Sequence, residues 1–232
     1  MNKSKKDIDW SRTALLLKIG IIGACIILAG DLLMGWGVRD THIEGIASQL
    51  SPYLTISDTR MLLASVFGFA GVPFAVIGHY GIYKLLKPYS LKYARFYVVG
   101  NLGFLAFGGA GVHVSSVEAA FYYKYMTAAA PDTVLESTVR FASFFLLPLY
   151  IILIACWLIM IYAHIRAVFK GLSPFPRWCV IFSMLPGTLL FSLVGLFGNH
   201  AIVNALMVGA FSLGNIWTLA GHLWMLKKIK NS

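Results

Sequence analysis

Three ionisable side chains lie inside or at the edge of long apolar runs, where a charged group normally faces a partner or a cavity. They are Asp31, His113 and His200. A carboxylate and two imidazoles are ligands that zinc accepts. The same groups could relay a proton, because histidine titrates near neutral pH. The sequence therefore predicts that these three residues are catalytic acid and base groups or ligands of a divalent metal such as zinc, and both interpretations stay open.

Further polar residues fall near these three when the apolar runs are drawn as helices. The last run carries a stripe of polar residues at helical spacing, which predicts a polar interior. No HExxH, HxxxH or nucleophile elbow occurs, so spacing alone defines no reaction. The residues expected to orient a ligand are Ser116, Glu118, Ser192, Asn199 and Asn204. The stripe consists of His200, Asn204, Asn215, Thr218 and His222. A second polar layer, toward the cytoplasmic side, comprises His79, Asn101, His164, Asn215 and His222.

Six apolar runs, each long enough to cross a bilayer, must position these residues. Hydrophobic residues make up 59% of the 232 residues and charged residues 12%, against about 45 to 50% and about 25% in a soluble domain. A helix needs about 20 apolar residues to cross the hydrocarbon core. We therefore predict an all-α, polytopic transmembrane helical bundle, a single domain over residues 1–232, with six spans at approximately 17–37, 60–83, 96–121, 141–163, 178–198 and 201–226.

The basic residues predict how this bundle is oriented. Cytoplasmic loops retain Lys and Arg, and an N-in/C-in arrangement places every basic cluster inside. The net charge of +10 then reflects topology and attraction to anionic lipid, so we expect membrane lipids as partners and no nucleic acid. The clusters, which hold 15 of the 19 Lys and Arg, run from Lys3 to Lys18, Lys84 to Arg95, Arg166 to Arg177 and Lys227 to Lys230.

Two segments between the spans carry helix signals. Thr41 and Glu44 have the spacing of a capping box, and amphipathic spacing continues up to Pro52. This pattern predicts a short surface helix. Pro131 followed by Asp132 predicts a second helix start, which would extend the fourth span outward.

Several of these residues carry a family resemblance. The run Gly30-Asp31-Leu32-Leu33-Met34-Gly35-Trp36, His113 in a glycine-rich span and the pair Asn199-His200 resemble an uncharacterised family of six-span bacterial integral membrane proteins. The resemblance implies a bacterial inner-membrane location and no particular activity. The chain is also similar in its ingredients to intramembrane hydrolases of the alkaline ceramidase and adiponectin-receptor type, which combine Ser, Asp and three His around zinc. It lacks their seventh helix and their HxxxH.

Four functions are consistent with these features. The leading hypothesis is an intramembrane site, in the outer half of the bundle, that binds or acts on a lipid or other amphiphile, with metal-assisted hydrolysis as one form of it. The alternatives are a transporter for an ion or small solute, a bis-histidine haem electron carrier, and a structural or regulatory membrane protein. The haem pairs would be His113 with His200, and His79 with His164 or His222. The sequence decides neither whether the protein is an enzyme nor whether it forms a homo-oligomer.

Overall fold

Helices account for all the regular structure in residues 8–230, which are the residues that this computed structural model describes. Three of the long helices begin at a side chain that accepts a backbone N–H: Asp9 accepts from Arg12, Ser57 from Arg60 and Ser90 from Tyr93. The α-helices are α1 (Trp10–Gly35), α2 (Gly45–Leu50), α3 (Asp58–Leu86), α4 (Leu91–Phe107), α5 (Val114–Ala129), α6 (Val134–Phe141), α7 (Leu147–Phe169), α8 (Met184–Ser192), α9 (Ala201–Val208) and α10 (Ala210–Lys230).

Four helical stretches are long and apolar enough to cross a membrane, and a fifth qualifies if the bent pair α9–α10 counts as one span. They include two composite helices, in which α4 continues into α5, and α6 into α7, through π-helical segments at Gly108–His113 and Ala142–Leu146. The prediction of an all-helical fold with several candidate membrane spans is thus confirmed. The short helix α2 is present, but it begins after Glu44 without a side-chain cap, so the capping box at Thr41 is wrong.

The last two predicted spans are not the continuous helices drawn from the sequence. The segment 178–198 consists of a 3₁₀-helix at Arg177–Phe182, then α8, then a second 3₁₀-helix at Leu193–Phe197. Ser183 is extended at the first break. The segment 201–226 bends by 61° between α9 and α10, at Gly209. Because of this bend, the polar stripe drawn along one straight helix divides into two parts with different surroundings.

Glycine contacts bring the central helices together. The antiparallel pair α1 and α3 crosses where Gly20 faces Gly78 and Gly23 faces Gly71, and a Cβ at any of these positions would overlap the backbone of the other helix. Such small residues let helix backbones approach closely where apolar burial alone gives no preference. Helix α10 packs on the same crossing through Leu219. The first and last long helices of the chain are therefore neighbours around α3.

Candidate functional site

Asp31, His113 and Ser212 form a polar cluster between three helices. Asp31 lies in the last turn but one of α1, His113 ends the π-helical segment after α4, and Ser212 lies in the first turn of α10. Ser212 Oγ donates to Asp31 Oδ2 at 2.5 Å, and His113 Nδ1 lies 3.4 Å from Asp31 Oδ1. The side chains of Asp31 and His113 are only 12% and 13% exposed. The cluster is thus a largely buried carboxyl–imidazole pair with a hydroxyl on its far oxygen.

The His113 ring is held by glycines on the neighbouring helices. Its Nε2 contacts the carbonyl oxygen of Ala64 on α3 at 3.0 Å. The ring occupies the position that a Cβ at Gly68 would take, and it also lies against Gly30. The π-helical turn that ends at His113 is a common local device at functional sites, because it shifts side chains around the helix axis. Glycine at 68 is therefore a requirement for the pairing of His113 with Asp31.

The contacts of His113 limit where its protons lie. A carbonyl oxygen only accepts, so Nε2 of His113 carries a hydrogen and donates it to Ala64. A neutral ring would then turn the lone pair of Nδ1 toward Asp31 Oδ1, which is also an acceptor. The contact is attractive only with one proton between these two atoms. The geometry favours one proton between the two atoms, as an imidazolium–carboxylate pair or as a neutral imidazole beside a carboxylic acid.

A cavity of about 380 Å³ opens beside this pair. Asp31, His113, Ser116, Ser212 and Asn215 are polar parts of its wall, and apolar or aromatic side chains make up most of the rest. Tyr53, outside the candidate spans, also lines it, and burial raises the pKa of its phenol above the usual value, so that it stays uncharged. The volume falls in the range of small-molecule sites, roughly 300 to 1,000 Å³.

The structure does not bring His200 to this cluster. Its side chain is exposed at the residue before α9, and it is not part of the cavity wall. Within residues 8–230, no group of three or more His, Cys, Asp or Glu side chains could hold a metal ion. The predicted three-ligand metal site of Asp31, His113 and His200 is therefore not assembled. The physical reason is the turn at Gly198 (φ +95°), after which His200 is extended rather than helical.

Asn199 and Asn204, predicted to orient a ligand, instead hold the chain that leaves α1. Asn199 exchanges two hydrogen bonds with the backbone of Arg39, at 2.8 and 3.0 Å. Asn204 donates to the carbonyl of Gly37 at 2.7 Å and to Asn199 at 2.8 Å. The Arg39 guanidinium also donates to Gln49. These two side-chain amides hold residues 37–39 against the start of α9. Their hydrogen-bonding groups are therefore already bonded within the protein.

The other predicted ligand-orienting residues differ in their surroundings. Ser116 lines the cavity, and its hydroxyl donates to the carbonyl of Val112. Ser192 donates to the carbonyl of Thr188, one turn earlier in α8. Glu118 is exposed in a separate open groove between α3, α5 and α6. Of this set, only Ser116 shares the cavity with Asp31.

The second polar layer is a buried hydrogen-bonded network. His79 bonds Tyr97 Oη through Nδ1 and Asn215 Oδ1 through Nε2, both at 2.8 Å. His222 Nε2 contacts His164 Nε2 directly at 2.9 Å. This direct contact leaves no space for an iron between His164 and His222, and both nitrogens of His79 are already bonded. The inner pairs proposed for a haem carrier are therefore occupied by protein contacts.

Two hydrogen-bond partners of the candidate residues were not predicted from the sequence: Ser212, which bonds Asp31, and Tyr97, which bonds His79. Ser212 lies three residues before Asn215, on the face that continues to His222, so the same helical spacing could have found it. The stripe predicted from the sequence passes from Asn204 to Asn215 with no polar residue named in this turn. Tyr97 gave no signal, because a tyrosine in an apolar run is ordinarily a packing residue.

The fold and site define an all-helical protein with four or five candidate membrane spans and a carboxyl–imidazole pair in a mainly apolar cavity. The chain belongs to a family of unknown function, DUF6796, whose model matches residues 1–229. This membership agrees with the resemblance to an uncharacterised family. No curated protein and no solved structure matches the chain.

Proposed function

We propose that this protein is an integral membrane protein that binds an amphiphile in the cavity beside Asp31 and His113. The observation that carries the proposal is the composition of the cavity wall: apolar and aromatic side chains line most of it, and the polar cluster of Asp31, His113 and Ser212 forms part of the rest. A ligand with an apolar tail and a polar head fits such a wall, because the head bonds the cluster while the tail replaces water along the rest. The buried location of Asp31 supports a functional role for it.

The same geometry favours binding over hydrolysis. Nucleophilic catalysis requires a hydroxyl within hydrogen-bond reach of a base. Ser116 donates to the carbonyl of Val112 rather than to a base. Ser212 does donate to a carboxyl group, that of Asp31. In the described part of the chain no metal-ligand group is present beside it. Amphiphile binding needs only the cavity and the polar cluster, whereas hydrolysis would further require Ser212 to act as nucleophile with Asp31 as its base.

A cavity-filling substitution tests the binding site. Ser116→Trp is expected to lower the amount of co-purified amphiphile roughly tenfold or more, because the indole would project into the space beside His113. The measurement is mass spectrometry of lipids and other amphiphiles extracted from purified protein. Ser143→Trp is the matched control: Ser143 is also exposed and donates to the carbonyl four residues earlier, as Ser116 does, but it lies outside the cavity wall. Equal amounts of bound amphiphile in both variants would refute the site.

We further propose six membrane crossings with both termini cytoplasmic, in the inner membrane of a bacterium. The broken segment Arg177–Phe197 is long enough: with 3₁₀ and α rises, it would span roughly 35 Å if collinear. The positions of 15 of the 19 basic residues support the orientation.

Reporter fusions test this topology. A fluorescent protein that folds only in the cytoplasm should be active after Lys230, and alkaline phosphatase, which is active only outside, should be active when fused after Gln49. Both expectations follow from the retention of basic loops inside. Active phosphatase after Lys230 would overturn the orientation, and an inactive fusion after Gln49 would do the same.

The bend at Gly209 favours transport as a second candidate. Discontinuous helices line the substrate sites of many transporters, and the break between α9 and α10 lies beside Asp31: a Cβ at Gly209 would be 3.7 Å from the Asp31 Cβ. In proteoliposomes with a fluorescent amphiphile, transport between leaflets would expose the inner-leaflet probe to an external quencher. With binding alone, that probe stays protected.

A further inference from the structure

The described part of the cavity wall carries an acidic side chain, Asp31, without a Lys or Arg side chain to pair with it. Among its described residues there is no Lys and no Arg, and Asp31 is the one carboxyl. Arg60, on α3, is not part of the wall, and its guanidinium donates to the carbonyls of Leu33 and Trp36 at the end of α1. Ser212 from α10 and the Ala64 carbonyl from α3 complete the surroundings of the pair. Apart from His113, no group facing Asp31 here could offset the charge of an anionic head.

Aromatic side chains form a further part of this wall. Tyr53, Phe104, Tyr150, Trp157 and Phe211 all line the cavity. The faces of such rings attract cations and repel anions. Charge and aromatic composition therefore point in the same direction, toward a positively charged ligand.

We propose that the head of the bound amphiphile is an alkylammonium group with N–H donors, which takes the place of the proton shared by Asp31 and His113. This inference rests on the proposed amphiphile site. The ammonium donates one N–H to Asp31 Oδ1 and another to His113 Nδ1, and both atoms are then acceptors facing donors. The displaced proton leaves to bulk water. One cation enters and one proton departs, so the net charge of the site is unchanged.

Other head groups leave part of the site unsatisfied. A phosphate or carboxylate would face Asp31 without a countercharge, which is unfavourable in a largely dry cavity. An alcohol donates one hydrogen but cannot replace the proton between the pair. A trimethylammonium head carries the charge but has no N–H to donate to Asp31 and His113.

A series of ligands with one tail and four heads tests the proposal. The probes are dodecylammonium, dodecyltrimethylammonium, dodecanol and dodecanoate, titrated calorimetrically into the full-length protein in neutral detergent. Dodecylammonium should bind roughly tenfold or more tighter than each of the other three. It should also release about one proton per site, measured from the dependence of the heat on the ionisation enthalpy of the buffer. Asp31→Asn should bring the four affinities together, whereas Glu136→Gln, an exposed carboxyl on α6 outside the cavity, should change none of them.

The possible failures are distinguishable. If dodecanol or dodecanoate binds as tightly as dodecylammonium, the head-group inference is wrong while amphiphile binding stands. Equal affinity for the trimethyl head would show recognition by the aromatic wall and would refute proton replacement. Absence of saturable binding for all four probes would remove the proposed function together with the inference.

Discussion

Asp31→Asn is expected to weaken the binding of an alkylammonium amphiphile tenfold or more, to the affinity of the neutral and anionic heads, while the protein remains folded. The asparagine keeps the shape and satisfies both neighbours: its Oδ1 can accept from Ser212, and its Nδ2 can donate to the lone pair of His113 Nδ1. The change in unfolding free energy should be about 1 kcal/mol or less. What disappears is the proton that the pair shares and the carboxylate that a cationic head would contact.

The measurement combines ligand titration with thermal unfolding of the same preparation. Glu136→Gln serves as the control, because it makes the same chemical change at an exposed position on α6. A parent-like affinity in the Asp31→Asn protein would remove Asp31 from the site. A variant that binds nothing because it no longer folds would assign Asp31 to structure instead.

Gly78→Ala should strongly destabilise the fold. The added Cβ would lie 2.5 Å from the Cα of Gly20, and neither backbone can move without separating α1 from α3. We expect a loss of about 3 kcal/mol, at the upper end for an overpacked contact, seen as a large decrease in the unfolding temperature in detergent.

Gly111→Ala is the matched control for this substitution. A Cβ at Gly111 would meet its nearest neighbours at ordinary distances, 3.7 Å and beyond. It should therefore change the unfolding temperature little. Similar losses in both variants would show that the tight crossing of α1 and α3 is not what makes position 78 sensitive.

The long helices were predictable because their apolar runs are long and bounded by capping or basic residues. The breaks in the last two predicted spans were not predictable from the sequence. Whether the helix bends or continues at Gly209 depends on whether neighbouring groups can hydrogen-bond the backbone N–H and C=O groups that a bend leaves unpaired. Glycine occurs in both bent and continuous membrane helices. Ser183 is extended at the N-cap of α8, with Pro186 in the first turn. However, proline is also tolerated inside continuous membrane helices, so the sequence does not show that the helix breaks there. Such tertiary effects lie outside what a hydropathy pattern contains.

The π-helical segment at Gly108–His113 shows a second limit. An α-helical period predicts that Ala106, Gly109, Ala110, Ser116 and Ala120 share the face of His113. In the structure, Gly109 and Ala120 are buried and Ser116 lines the cavity with His113, whereas Ala106 and Ala110 are exposed. The wider turn changes the phase of the residues before the π-helical segment relative to those after it. The ionisable residues Asp31 and His113 could still be singled out, because their presence in apolar runs does not depend on helical phase; their role remains a prediction.

The partners of Asp31 lie far downstream in the chain, and this has a consequence for biogenesis. Ser212 is 181 residues after Asp31, and Asn199 meets Arg39 across 160 residues. At typical synthesis rates of 5 to 20 residues per second, α1 waits on the order of 10 to 40 s before its hydroxyl partner leaves the ribosome. During that interval the first helix carries an incompletely satisfied carboxyl. Until α10 is inserted, this carboxyl has to be protonated, hydrated or bonded by another group, because an isolated charge in hydrocarbon is costly.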